Sequence, residues 1–217
     1  MKTYYSCPEG DIYHGDCLEV MRQFPDNSFD LVLTDPPYGI GLEYDIYDDT
    51  LEKWKIMFEN TLPDMQRVAH MVIMPSCQIK LLPYIYATNP PDWLMCWYKG
   101  SPGHCAHVGF NDWEPMLVYG KIKGLQMHDY VFASPTAFDN GHPCPKPILW
   151  AHRIIRMATK RGMKMLDPFF GSGTTGVACV RMGRKFVGIE ISGEYCEIAK
   201  KRIIEEKAKY GLFNNLD

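Results

Sequence analysis

The chain has no run of the ~20 consecutive apolar residues that a membrane span needs, and its opening MKTYYSCPEG has no apolar segment of the secretory kind. A soluble, intracellular protein is therefore expected. The eight cysteines, Cys7, Cys17, Cys77, Cys96, Cys105, Cys144, Cys179 and Cys196, include no C-x-x-C pair. That scatter argues against a disulfide framework and favours free, mostly buried thiols. Cys96, His104, Cys105 and His107 lie close together, but their spacing matches no structural zinc pattern, so no metal is expected. Positive charge is not in excess either: 23 basic residues face 26 acidic ones, for a net charge of −3. Such a balance neither requires nor excludes a nucleic-acid partner, because local patches outweigh the total. There is no internal repeat and no low-complexity segment. With 217 residues and 46% hydrophobic content, a single domain over 1–217 is the expected organisation.

What is present is a strand and helix alternation at both ends of the chain. The stretch 11-DIYHGD-16 reads as a short strand, and 17-CLEVMRQF-24 follows with Leu18, Met21 and Phe24 at helical spacing. Next, 29-FDLVLTD-35 is short, β-branched and almost wholly apolar, as a strand covered on both faces is. Further strands are expected at 70–75, 93–99, 113–120, 163–167 and 185–190, and helices at 50–62, 147–161, 174–183 and 192–211. The acidic stretch 41–54, with Glu43, Asp45, Asp48, Asp49 and Glu52, is expected to be a solvated, mobile loop leading into its helix. Residues 121–141, rich in Gly, Ser, Pro and Asn, read as a long functional or disordered loop. The alternation predicts an α/β protein with a mostly parallel sheet and helices on both faces.

Between two predicted elements lies 167-DPFFGSGTTG-176, where Gly171, Gly173 and Gly176 satisfy G-x-G-x-x-G, and Glu190 ends the following strand. Glycine lets the backbone turn sharply and approach a ligand, and a strand-end carboxylate accepts hydrogen bonds from ribose hydroxyls. The turn thus suggests a nucleoside-containing cofactor. Asp167 and Pro168 place a carboxylate beside the glycines, which would repel a pyrophosphate but receive an ammonium group. That electrostatic difference favours S-adenosylmethionine over NAD.

The strand 29–35 breaks on 35-DPPY-38. Proline restricts its own φ and the residue before it, so Asp35 and Pro36 are both held extended. The exocyclic amine of a nucleobase is a weak nucleophile. A carboxylate and a fixed carbonyl accepting its N–H bonds would orient its lone pair and stabilise the positive charge that develops on nitrogen. Tyr38 would stack on the face of a base turned out of its helix.

Together, TDPPYG and DPFFGSGTT resemble the two signature motifs of the S-adenosylmethionine-dependent DNA amino-methyltransferases, which modify adenine N6 or cytosine N4. The DPPY motif precedes the F-x-G-x-G motif of Phe169, Gly171 and Gly173, as in the permuted β class, and 142-HPCPKP-147 matches that class's H-P-x-x-K-P. The resemblance covers roughly 10–40 and 142–200. It implies a circularly permuted, Rossmann-like class I methyltransferase sheet, with 163–167 as first strand, 185–190 second, 11–16 third and 29–35 fourth. It also implies catalysis by Asp35, Pro36, Pro37 and Tyr38. For cofactor binding it implies Asp16, Cys17, His142, Lys146, Asp167, Pro168, Phe169, Gly171, Gly173, Thr174 and Glu190, with Asp16 near the adenine and Lys146 near the cofactor's carboxylate.

By the same resemblance the partner is double-stranded DNA, the protein a homodimer, and its location the cytoplasm of a bacterium or of a phage host. The chain departs from the family in its small target-recognition region, confined to about 99–141. In the family an Asp at the first motif position leans toward adenine, so Asp35 favours N6. Cytosine N4 stays open, as do methylation of RNA or protein and, on the glycine turn alone, an NAD-binding oxidoreductase.

Overall fold

A computed structural model describes residues 2–41, 47–75, 79–100, 105–106, 109–110, 112–122, 127–134 and 146–213. In chain order its strands and helices are β1 (Thr3–Cys7), β2 (Gly10–His14), α1 (Cys17–Met21), β3 (Leu31–Leu33), α2 (Leu51–Val68), β4 (Met71–Pro75) and α3 (Leu82–Thr88). There follow β5 (Trp93–Tyr98), β6 (Cys105–Ala106), β7 (Gly109–Phe110), β8 (Trp113–Gly120), β9 (Tyr130–Phe132), α4 (Ile148–Ala158), β10 (Lys164–Asp167), α5 (Thr174–Met182), β11 (Lys185–Glu190) and α6 (Gly193–Phe213).

Nine strands form one sheet in the order β1-β2-β11-β10-β3-β4-β8-β5-β9. Its middle, from β2 to β4, is parallel throughout. The four strands that the resemblance assigns to a Rossmann-like sheet are all in this parallel part, β10 lying between β11 and β3, with β2 beyond β11. The apolar run in β3 has a direct cause. Leu31 and Leu33 point into a core shared with Trp150, Ile154 and Ile155 of α4 and Val177 of α5. Val32 points the other way, to Trp54, Phe58 and Met65 of α2. With helices on both faces, no position in the strand meets water.

Helix α2 runs past Pro63, where a helix stop at 62 was expected. A proline inside a helix costs about 3 kcal/mol, but Leu62, Met65 and Val68 are all buried against the sheet. Each such side chain contributes roughly 1.5–3 kcal/mol, so continuing the helix wins, and Pro63 itself is exposed.

Two loop expectations change. Within 121–141, residues Tyr130–Phe132 form β9, which pairs with β5, and Ala133 accepts a 2.8 Å hydrogen bond from Trp97 Nε1. Residues 123–126 and 135–141 lie outside the described residues. In the acidic stretch 41–54, Asp49 is buried, only 2% exposed, so that part is not a solvated loop. Residues 42–46 lie outside the described residues. The sequence pattern also overlooked β1, a polar edge strand, and α3, a short helix with Pro83 in its first turn.

Gly188 in β11 faces the ring of Phe170, and a Cβ there would sit 2.3 Å from Phe170 Cγ. Phe170 is buried and stacked on Phe186, so it has little room to shift. Gly188→Ala should destabilise the fold by about 1–3 kcal/mol, measured as a lower urea midpoint at unchanged slope.

Candidate active site

The parallel strands all end on one edge of the sheet, and the chemistry-bearing residues follow them. After β10 the chain turns through Asp167 to Gly173, with Gly171 at φ 50° and Gly173 at φ 79°. Gly173 must be glycine for a second reason: a Cβ would lie 2.8 Å from that of Ala199 on α6. Glu190, at the end of β11, holds the turn from the side. Its two oxygens accept from the backbone amides of Gly171 at 2.7 Å and Ser192 at 2.8 Å. Burial pushes the Glu190 carboxyl above its ordinary range, and these amides oppose the push. Beyond β2, Asp16 caps α1 by accepting from the amides of Leu18 and Glu19 at 2.9 and 3.1 Å.

Asp167 lies beneath the turn, 4% exposed, and does not line the cleft. It accepts from Thr34 Oγ1 at 2.7 Å and from the Phe169 amide at 3.1 Å. Burial raises its carboxyl to about 7, against the pull of Thr34, Thr175 and that amide, with Asp35 adding to the rise. Asp167 is therefore not presented to the cleft as the carboxylate that the turn's electrostatics suggested would receive an ammonium group. Asp167 joins the ends of β10 and β3.

In the 35–38 motif, Tyr38 is 5% exposed and its hydroxyl donates to Asp35 Oδ1. Lys146 Nζ sits 2.7 Å from Asp35 Oδ2, 4.8 Å from the Tyr38 ring centroid and 5.5 Å from that of Trp97. Lys146, expected beside the cofactor, is thus turned toward the 35–38 motif. Pro36 is buried.

One cleft of about 380 Å³ unites the two motifs. Asp35, Pro37 and Tyr38 line one side, and Pro168, Phe169 and Gly171 the other, while Asp16, Cys17 and Glu190 close the end. Burial, with Asp16 adding, pushes the Cys17 thiol up to about 12, so it lines the wall as a neutral group. Gly173, Thr174 and Lys146 stand behind the walls, and His142 lies outside the described residues.

The sequence pattern did not reveal the opposite wall, formed by Ile56, Met57, Asn60 and Thr61 of α2, nor Tyr47 and Tyr195. Positions 53, 56, 57 and 60 do follow helical spacing, but the stripe mixes Lys, Ile, Met and Asn and reads as no coherent face. In the expected recognition region, Lys99 is neutralised by Glu114 at 2.6 Å. Among the described residues no group of three or more His, Cys, Asp or Glu is placed to hold a metal, and no helix is long and apolar enough to cross a membrane.

A family model described as DNA methylase, with a name spanning N6 and N4 modification, matches residues 106–201. The chain is 30% identical over 260 residues to the type II methyltransferase M2.LlaDCHI of Lactococcus lactis subsp. cremoris, covering 97% of this chain and 95% of that protein. It is 28% identical over 244 residues to the DNA adenine methyltransferase YhdJ of Escherichia coli (strain K12), covering 88% and 82%. Among solved structures, the complex of M1.HpyAVI with SAM matches with a TM-score of 0.64 at 26% identity, over 89% of this chain and 98% of that one.

Asp167 gives the fold a pH signature. Between its ordinary value of 3.8 and about 7, the native state keeps a proton that the unfolded chain has released. Over that window stability falls as pH rises, by at most about 1.4 kcal/mol per unit, and it levels off above. Urea unfolding of wild type and Asp167→Asn should show the wild-type advantage shrinking between pH 4 and 7.

Proposed function

The chain belongs to the family of N6 and N4 DNA methylases, and from that premise we propose that this DNA methyltransferase transfers a methyl group from S-adenosylmethionine to the N6 amine of adenine in double-stranded DNA. The observation that carries the proposal is the single cleft shared by Asp35, Pro37 and Tyr38 with Phe169, Gly171 and Glu190.

S-adenosylmethionine fits the residues present. The amide of Gly171, the first glycine of the turn, already donates to the Glu190 carboxylate, so the turn meets a ligand with negative charge and is poorly suited to a pyrophosphate. With amides of Gly171, Ser192 and Ile191 on a carboxylate that has about four lone-pair sites, Glu190 retains acceptor capacity for a ribose hydroxyl. Asp16 and the α2 side chains Met57 and Ile56 complete a partly apolar wall for a purine ring. The SAM complex of M1.HpyAVI, similar in fold and 26% identical, supports the same cofactor. When bound, the cofactor supplies an electrophilic methyl group on a sulfonium.

The chain's own residues prepare the amine. Asp35 and the Pro36 carbonyl accept its N–H bonds, which directs the nitrogen lone pair and offsets the positive charge that develops as the new N–C bond forms. The contacts from Tyr38 and Lys146 leave a second lone pair on each Asp35 oxygen for this purpose. Tyr38 supplies a ring for the displaced base to stack on, and Lys146 anchors both Asp35 and that ring. Adenine is preferred because the motif opens on Asp35 and because YhdJ, 28% identical, is named a DNA adenine methyltransferase. We further propose that 99–141 reads the target sequence and that a second subunit widens this small surface.

Incubation with labelled cofactor and duplex DNA, followed by nucleoside mass spectrometry, should yield N6-methyladenine. N4-methylcytosine alone would replace adenine by cytosine in this reading, and label confined to RNA or protein would overturn DNA as the substrate. Asp35→Ala should bind the cofactor normally while transfer drops by about 100-fold or more. Undiminished transfer would remove Asp35 from its assigned role.

A further inference from the structure

We infer that Asp49 is a positioning residue for methyl transfer, holding the loop that carries Tyr38 against the helix that walls the cleft. The inference rests on the proposed transfer to a DNA amine. Asp48 and Asp49 are neighbours with opposite fates. Asp48 is exposed and pairs with Lys53 at 3.0 Å, whereas Asp49 is 2% exposed. A buried carboxylate is costly unless its oxygens are satisfied. Here Oδ1 accepts from the Gly39 amide at 2.6 Å, Oδ2 accepts from the Ile40 amide at 3.0 Å, and the Asp49 carbonyl accepts from the Gly41 amide at 2.9 Å. Three consecutive amides, directly after Tyr38, therefore end on one residue.

The docking is close. Gly39 has φ 66°, and a Cβ there would lie 2.9 Å from Trp54 Cβ and 3.1 Å from Leu51 Cα. The loop thus rests on the first turn of α2, whose N-cap is Thr50, accepting from the Lys53 amide at 3.3 Å. A helix N-terminus also favours a negative charge beside it. The same helix presents Ile56, Met57 and Asn60 to the cleft. Asp49 accordingly fixes the target-side loop to the cofactor-side wall. A charged acceptor that takes two amides at once holds them more firmly than a neutral one, and the direction of the Tyr38 ring follows from where Gly39 is held. Freed of Asp49, Tyr38 and its hydrogen-bonded partner Asp35 would lose their common geometry while the glycine turn stayed intact.

Asp49→Ala and Asp49→Asn separate this role from simple stabilisation. Single-turnover methylation of duplex DNA at saturating cofactor should fall about 100-fold in the alanine variant, the scale expected for misplacement of a reacting group, and less in the asparagine variant, which keeps one acceptor. Cofactor affinity by calorimetry should change by no more than about 3-fold, since the glycine turn is untouched. Wild-type transfer in either folded variant would overturn the inference, as would cofactor affinity falling in step with the rate. Hydrogen exchange gives a readout independent of the reaction: the Gly39 and Ile40 amides should be protected in wild type and lose protection in Asp49→Ala, and persistent protection would overturn the inference. Wild-type protein that binds cofactor yet modifies no DNA would overturn the proposed function instead, and the exchange result would still decide whether Asp49 holds the loop.

Discussion

The pairing of β3 with β10 is the constraint on which the rest of the molecule depends. Leu31 and Val32 align with Met165 and Leu166, and just past the aligned residues Thr34 donates to the buried Asp167 across 133 positions of sequence. Because the strands are parallel, both chains leave the sheet at the same edge, one as the 35–38 motif and the other as the glycine turn. The cleft is the gap between those two departures. Slipping the register by one residue would turn Val32 away from α2 and separate the two loops, so core packing and the site share one geometric condition.

Acidic side chains crowd this edge, and each is managed by a different device. Asp16 caps a helix, Asp35 meets a lysine and a tyrosine hydroxyl, Asp49 gathers loop amides, and Glu190 bridges two turns. Asp167, buried beneath the turn, departs from ordinary carboxylate behaviour because burial outweighs the few donors around it. A shared residue type thus yields a capping group, a candidate hydrogen-bond acceptor for substrate and internal fasteners, with local partners making the difference.

Much of this was legible in the residues. The β3 run, the 35–38 break and the glycine turn each carry a local signal strong enough to place strand, loop and neighbouring helix. Family resemblance then assigned four strands to one Rossmann-like sheet, and the sheet contains them side by side. Contacts between distant segments were not legible. Nothing in 41–54 marks Asp49 as different from Asp48, because the distinction arises from where the 39–41 amides arrive. Lys146 could be paired with a motif but not with a partner, since its contacts to Asp35 and Tyr38 of the 35–38 loop and to Trp97 of β5 come from segments distant in sequence. The α2 wall was hidden by its mixed polarity, which is what a surface facing both water and a ligand tends to show.

The order of the segments along the chain has a consequence in time. On a ribosome the 35–38 loop is made early, but β10 and β11, which would stand between β3 and β2, come in the last quarter of the chain. Until they insert, β2 and β3 have no common neighbour, and neither the glycine turn nor Glu190 exists to complete the cleft. Completion of the reactive edge therefore waits for β10 and β11, and a chain interrupted before them would lack both the glycine turn and Glu190.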